Sequence, residues 1–249
     1  MKIFSSLYHT LRFWILITIL SVVLGTISFI LGIFDRSGNK SHKVAALWSR
    51  LICKWNDIRV EITGMENIVT DQAQIFIANH QGYYDIFALA GFLAVQLRWV
   101  SKAILFRIPF MGWAMSAAGY IRVDRNNRKK SYQAFLNTIE SVKVGNSIII
   151  FPEGTRSVDG SIGPFKKGSH LLAQRANVPM VPITIIGTRN IIRKGSILIR
   201  PGPVKIIISP EVTLLNKDRE KGDDMLQDIR NTICDNFKNY QIDFTKDQI

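Results

Sequence analysis

Residues 79–85 read Asn79-His80-Gln81-Gly82-Tyr83-Tyr84-Asp85, which sets an imidazole and a carboxylate five positions apart. An apolar run, Ile75-Phe76-Ile77-Ala78, leads into them, and a second, Ile86-Phe87-Ala88-Leu89-Ala90, leads away. On a straight α-helix, positions i and i+5 point about 140° apart, so the two side chains cannot meet mid-helix. They meet if His80 sits on a loop leaving a strand and Asp85 lies in the first turn of the next helix. Gly82 permits a tight turn between them, and the helix dipole favours an acid in that turn. A carboxylate that accepts from one ring nitrogen fixes the tautomer and leaves the other nitrogen as a base. No Ser or Cys adjoins the pair in sequence, so the expected target of the base is a hydroxyl of the substrate. Taken alone, the same pair also fits a capping acid beside a partly buried histidine.

The elements around this pair alternate. From residue 58 onward the pattern predicts strands near 58–63, 75–78, 97–101, 119–123, 147–151, 180–187, 196–200 and 203–208. A helix near 131–144 carries Tyr132, Phe135, Leu136, Ile139 and Val142 on one face, and Gly145 stops it. A helix near 169–176 starts with Ser169 as its N-cap. A last one near 223–238 uses Leu226, Ile229, Ile233 and Phe237. Strand–helix alternation implies an α/β fold, a single layered domain with a mostly parallel sheet flanked by helices. Pro201-Gly202-Pro203 joins two late strands and makes that edge antiparallel. The helix after Asp85 is apolar nearly all round and therefore buried; its small residues leave open a groove, with core packing the simpler reading.

The N-terminus is different. Phe13 to Phe34 are 22 consecutive uncharged, mostly apolar residues between Arg12 and Asp35. As a helix they reach roughly 30 Å, one hydrocarbon thickness. The run is too long for a signal-peptide core, and Asp35-Arg36-Ser37-Gly38 is a poor cleavage site. It reads as an uncleaved anchor, a membrane helix or, with Gly25 and Gly32 as bends, a helical hairpin entering one leaflet. Basic residues are more numerous after it (Arg36, Lys40, Lys43, Arg50) than before (Lys2, Arg12), which places that side in the cytoplasm. From Lys43 to Asp57, Val44, Leu47, Trp48, Leu51, Ile52 and Trp55 recur at helical spacing. That helix either lies at the membrane surface, flanked by basic side chains, or packs on the core. The division expected is 1–57 as anchor and interfacial helix and 58–249 as catalytic domain.

Composition narrows the partners. The chain has 249 residues, is 47% hydrophobic and carries a formal net charge of +13, which calls for an anionic partner or a merely basic surface. Two cysteines, Cys53 and Cys234, and four histidines give no zinc spacing. A reducing compartment fits, with both thiols buried and inert. No nucleic-acid motif is present. His9 and His42 flank the membrane segment and carry no constellation; His170 reads as structural.

Three further blocks follow the first. They are Gly119-Tyr120-Ile121-Arg122-Val123-Asp124-Arg125, Phe151-Pro152-Glu153-Gly154-Thr155-Arg156-Ser157 and Val181-Pro182-Ile183. In order and spacing with Asn79-His80-x4-Asp85 they resemble the glycerolipid acyltransferase family, the lysophosphatidic acid acyltransferases. Lys102, Pro109 and Gly112 match a stretch that the family carries between its first and second blocks. The likeness covers residues 58–187. Two positions depart from it: Ile104 stands where Glu is frequent, and Arg122 where an apolar residue is usual.

The resemblance implies a reaction. His80, oriented by Asp85, deprotonates the sn-2 hydroxyl of a 1-acyl-glycerol-3-phosphate, which attacks an acyl thioester to give phosphatidic acid. Acyl-coenzyme A or acyl-acyl carrier protein is the co-substrate, with no cofactor, no metal and no acyl-enzyme. Glu153, Gly154, Thr155 and Arg156 bind the acceptor's glycerol phosphate, with Glu153 orienting the glycerol or the arginine, and Lys102 and Arg125 adding charge. Gly154 lets backbone N–H groups approach a phosphate, and Arg156 offers a planar fork. The basic stretch Arg122, Arg125, Arg128, Lys129 and Lys130 suits anionic lipid, coenzyme A phosphates or an acidic carrier protein, as do Lys166 and Lys167; a solvated face is the alternative. Membrane lipids are expected partners, nucleic acid is not, and a bacterial-type cytoplasmic membrane is the expected location. Acylation of glycerol-3-phosphate or another lysolipid, thioester hydrolysis, and a non-enzymatic basic membrane module stay open as alternatives.

Overall fold

The computed structural model describes residues 2–213 and 222–246; within them the side chains of residues 2–3, 167, 170, 173, 222–224 and 241–246 lie outside the description. Fifteen α-helices and β-strands follow one another among the described residues. They are α1 (Lys2–Phe34), α2 (Asn39–Trp55), β1 (Val60–Thr63), β2 (Ile75–Ala78), α3 (Tyr84–Phe92), β3 (Leu97–Lys102), α4 (Met111–Ala117), β4 (Ile121–Val123), α5 (Arg128–Lys143), β5 (Ser147–Ile150), α6 (Lys167–Ala176), β6 (Met180–Ile186), α7 (Thr188–Ile191), β7 (Val204–Ile208) and α8 (Gly222–Lys246). The seven strands form one sheet in the order β1-β7-β6-β2-β5-β3-β4. All neighbours are parallel except β6 and β7.

Alternation along the strands fills two cores. Phe76, Trp99, Ile149 and Ile183 face α1, α2 and α3. Ile75, Ile77, Ile148 and Met180 face α5, α6 and α8. Strands buried on both sides need no polar face, which explains their continuous apolar runs. The result is a three-layer α/β fold with the parallel strands β6, β2, β5, β3 and β4 ending along one edge.

Several expectations are corrected. Residues 196–200 form no strand; the antiparallel partner of β7 is β6. The helix placed from Ser169 already begins at Lys167, and Ser169 donates to Lys166 O at 2.7 Å instead of capping. Gly25 and Gly32 do not bend the first helix, which is continuous. They allow close approach: a Cβ on Gly25 would sit 2.9 Å from Phe110 O, and one on Gly32 2.6 Å from Ala117 Cβ.

Phe4–Phe34 is long and apolar enough to cross a membrane, yet the domain flanks it from end to end. Ser6 donates to Ile199 O at 3.0 Å, Phe13 packs on Tyr84 and Phe87, and Phe29 packs on Trp113. Phe13, Ile17, Leu20, Leu24 and Ser28 form the inward stripe. Phe4, Leu11, Ile15, Ile19, Val23, Ile30 and Phe34 remain exposed. α2 packs between α1 and α3 and buries Ala46, Ile52 and Cys53, while Leu47 and Trp55 stay exposed. Burial pushes the Cys53 thiol up to about 12.

His42 does belong to a constellation. Its Nδ1 lies 2.9 Å from the Tyr120 hydroxyl and its Nε2 accepts from Leu97 N at 3.4 Å. Beside it the buried Arg98 donates to Ser37 O at 2.6 Å and Asn39 Oδ1 at 2.9 Å. These contacts staple the α1–α2 turn to β3. Burial, then the Arg98 charge, lowers the His42 pKa from 6.5 to about 4. A depressed pKa contributes stability that is whole above the unfolded value and lost as pH falls through the folded one. From these values roughly 3 kcal/mol is expected to disappear between about pH 6.5 and about pH 4. Melting temperatures across that range should fall more steeply in wild type than in His42→Gln.

Candidate active site

The site begins where β2 ends. Asn79 is buried and bonds Ile185 both ways, Nδ2 to O at 2.9 Å and N to Oδ1 at 2.7 Å. This welds the loop after β2 to the C-terminal end of β6. His80 follows on the loop, and Asp85 lies in the first turn of α3. They meet: His80 Nδ1 is 2.6 Å from Asp85 Oδ2. A carboxylate only accepts, so Nδ1 carries the hydrogen and Nε2 keeps its lone pair. The imidazole stacks on Phe151, with centroids 4.0 Å apart and planes at 12°. Two groups thus fix the ring, one in its plane and one on its face.

Asp85 is fully buried and saturated. Its Oδ2 also accepts from Gln81 N at 2.7 Å and Gly82 N at 2.9 Å, and its Oδ1 accepts from the Thr188 hydroxyl. Four donors thus satisfy one buried carboxylate. Gly82 serves by close approach: a Cβ there would lie 2.6 Å from Thr188 O. Thr188, just past β6, is a site residue that sequence reasoning missed. No local pattern joins it to Asp85 across 103 positions; only its place at the end of a strand hints at it. Thr188→Val leaves a buried acceptor without its donor and is expected to destabilise the fold by about 1–3 kcal/mol in urea denaturation.

The loop after β5 locks to the same place. Glu153 accepts from His80 N at 2.7 Å and from Gly163 N at 2.9 Å, and Ser157 N donates to His80 O at 2.8 Å. Both backbone groups of His80 are thereby held by this loop. Burial raises the Glu153 pKa against the two backbone bonds from Gly163 and His80. Among the described residues Glu153 makes no ion pair with Arg156; its oxygens tie two loops together. Arg230 of α8 braces the second loop by donating to Ile162 O at 2.7 Å and Gly163 O at 3.0 Å.

Gly154 has φ 76°, where glycine is favoured, and a Cβ would lie 2.7 Å from Lys166 Nζ. Arg125 Nη1 donates to Gly154 O. Arg156 lies flat on the Tyr83 ring, with Cζ 3.5 Å from its centroid, and its Nη1 is buried without a hydrogen-bond partner among the described residues. A guanidinium stacked on an aromatic face presents its N–H edge, the geometry that grips a phosphate. Thr155, Arg156, Ser161 and Lys166 line an open cavity there together with Val158 and Phe165. Tyr83 is a second residue that the sequence pattern did not single out. Lys102 ends β3 and Arg125 lies two residues past the end of the neighbouring β4, but the Lys102 side chain makes no hydrogen bond or ion pair among the described residues. Ile104 is exposed, and Arg122 stacks over Phe106 at 4.8 Å. An apolar cavity opens between α1, α2, α3 and α4, lined by Leu24, Trp48, Ile86, Ala90, Trp99 and Met115.

Comparison with known proteins agrees with this layout. Residues 59–186 match the sequence model of the acyltransferase family. A chloroplastic 1-acyl-sn-glycerol-3-phosphate acyltransferase of Brassica napus is 36% identical over 206 residues, 82% of this chain and 58% of that protein. The chain thus spans little more than half of that relative's length. A 1-acyl-sn-glycerol-3-phosphate acyltransferase of Pseudomonas aeruginosa is 30% identical over 208 residues, 81% of this chain and 79% of that one. The crystal structure of a 1-acyl-sn-glycerophosphate acyltransferase from Thermotoga maritima superposes with a TM-score of 0.84 at 27% identity, covering 97% and 98% of the two chains. With the block order, the sheet and the likeness over most of its length in agreement, this chain belongs to the acyltransferase family.

Proposed function

We propose that the protein transfers an acyl chain from an acyl thioester to the sn-2 hydroxyl of 1-acyl-sn-glycerol-3-phosphate and so makes phosphatidic acid. One observation carries the reading: the 2.6 Å His80–Asp85 contact, which leaves Nε2 free at the strand ends beside an unsatisfied arginine. Nε2 takes the proton of the acceptor hydroxyl. That oxygen attacks the thioester carbonyl. The tetrahedral intermediate collapses, the carbon–sulfur bond breaks, and the departing thiolate takes the proton back from the imidazolium. Asp85 stabilises the imidazolium between the two transfers. Neither cysteine fits a covalent role, since Cys53 is buried and no thiol bonds His80.

Arg156 grips the acceptor phosphate, with Arg125, Lys166 and Lys102 adding charge around it. Glu153 and Gly154 shape the loop, and Thr155 lines its cavity. The apolar cavity under α3 receives the acyl chain. Acyl-coenzyme A or acyl-acyl carrier protein donates it, and no metal or cofactor is called for. Residues 1–57 attach residues 58–249 to the membrane. α1, flanked by the domain along its length, lies along the surface with its exposed face in lipid. A bacterial-type cytoplasmic membrane, with the catalytic domain on the cytoplasmic face, suits this arrangement.

The test is thiol release from palmitoyl-coenzyme A, and from palmitoyl-acyl carrier protein, with and without the lysolipid. Acceptor-dependent release with either donor supports the reading. Release without acceptor would make the protein a thioesterase, and no release with either donor would refute it. Tyr83 supplies a second prediction. Tyr83→Leu removes the shelf under Arg156 and should raise the KM for acceptor by roughly 2–5-fold with kcat retained, the range for a solvent-exposed cation–π contact. Tyr83→Phe should keep wild-type KM.

A further inference from the structure

We propose that residues 193–200 form a second membrane-contact element whose occupant is the surface of an anionic bilayer. This rests on the reading that the exposed face of α1 meets lipid. The segment turns at Gly195, φ 83°, and presents Ile197 and Leu198, which are 65% and 41% exposed. Arg193, Lys194 and Arg200 flank them and are exposed as well. No acidic residue occurs between Gly187 and Pro210. Aliphatic side chains at the tip of a basic loop match the acyl–headgroup boundary of an anionic leaflet.

The loop's attachments argue for lipid over a protein partner. It is held against the N-terminal turns of α1: Trp14 Nε1 donates to Ile197 O at 3.3 Å, Ser6 Oγ to Ile199 O at 3.0 Å, and Ile199 N to Thr10 Oγ1 at 2.9 Å. Those turns expose Leu7, Leu11, Trp14 and Ile15. Ile197 and Leu198 therefore extend the apolar face of α1 onto the catalytic domain, and a bilayer covers both at once. The loop also reaches the phosphate block, where Lys194 Nζ donates to Arg156 O at 3.1 Å, and Arg189 of the preceding α7 donates to Val158 O at 2.7 Å just after that block. The loop thus links the lipid surface to the residue that grips the acceptor, on the route an anionic lysolipid takes out of the leaflet.

The full chain in vesicles provides the test. An environment-sensitive dye is attached to Leu198→Cys in a Cys234→Ser background, since Cys53 is buried. Parallel labels go on Ile19→Cys, on the exposed face of α1, and on Val144→Cys, 74% exposed beyond the end of α5. Brominated acyl chains should quench 198 and 19 and spare 144. Quenching at 19 without quenching at 198 overturns the assignment of the loop alone. No quenching at 19 overturns the reading of α1 on which it rests. The double variant Arg193→Gln/Arg200→Gln should bind anionic vesicles about 25-fold more weakly, roughly fivefold per basic residue, with binding to zwitterionic vesicles unchanged. Equal binding to both vesicle types would refute the charge preference. None of these readouts needs turnover, so failure of the proposed reaction would show separately in the thiol assay.

Discussion

Replacing His80 with alanine is expected to lower acceptor-dependent thiol release by about 10²–10⁴-fold, the range for removing a positioned base, with little change in melting temperature. The structure separates the two effects. The imidazole makes one side-chain hydrogen bond, to Asp85, and stacks on Phe151. The contacts that join the loops run through the backbone of His80, to Glu153 and from Ser157, and alanine keeps both. Asp85 retains the backbone donors Gln81 and Gly82 and the Thr188 hydroxyl. The KM for acceptor should also hold, because Arg156 rests on Tyr83 and not on His80. Steady-state kinetics of the purified variant decide the matter. A raised KM with an unchanged kcat would make His80 a binding residue, and a collapse of the melting temperature would make it a structural one.

Asp85→Asn should cost on the order of 10²-fold in kcat while the protein stays folded. An asparagine oxygen in the place of Oδ2 can still accept from His80 Nδ1, Gln81 N and Gly82 N. Its amide can face Thr188, whose hydroxyl rotates to accept. Geometry and tautomer survive, and the negative charge behind the imidazolium does not. The effect should appear in kcat, since the charge matters only once His80 has taken a proton. Asp85→Ala is predicted to behave differently. It strands two buried backbone N–H groups and a hydroxyl, each worth about 1–3 kcal/mol, and should lower the urea midpoint as well as the rate. Equal stability of the two variants would contradict the saturated carboxylate as the device that shapes the loop.

Much of this arrangement was legible from local pattern. The 79–85 spacing required a loop histidine and a helical aspartate, and the loop and helix fall there. Apolar runs such as Ile75–Ala78 and Ser147–Ile150 announced strands buried on both faces, because the lone periodicity of such a strand is its length. The 196–200 run failed for the same reason. Ile197, Leu198 and Ile199 are as apolar as a strand, but Ile197 O accepts from Trp14, Ile199 bonds Ser6 and Thr10, all on α1 and 183 to 193 positions away, and Leu198 N donates to Ser196 Oγ. Gly25 and Gly32 misled in the same way, since a glycine that breaks a helix and one that admits a neighbour look identical in one dimension.

Local sequence determined which groups exist and how far along the chain they act: a histidine with its acid, an arginine after a Gly-containing turn, and an apolar helix of membrane length. These are short-range matters, governed by backbone geometry and periodicity within a few residues. Tertiary structure alone decided the rest. Parallel pairing set β6 and β5 on either side of β2, and that brought Thr188 to Asp85, Glu153 to the His80 backbone and Tyr83 under Arg156. It also laid the domain along α1, so the helix that could cross a bilayer has one face already taken. Such contacts arise from the burial of two faces of one sheet, a condition on the whole chain that no window of sequence contains.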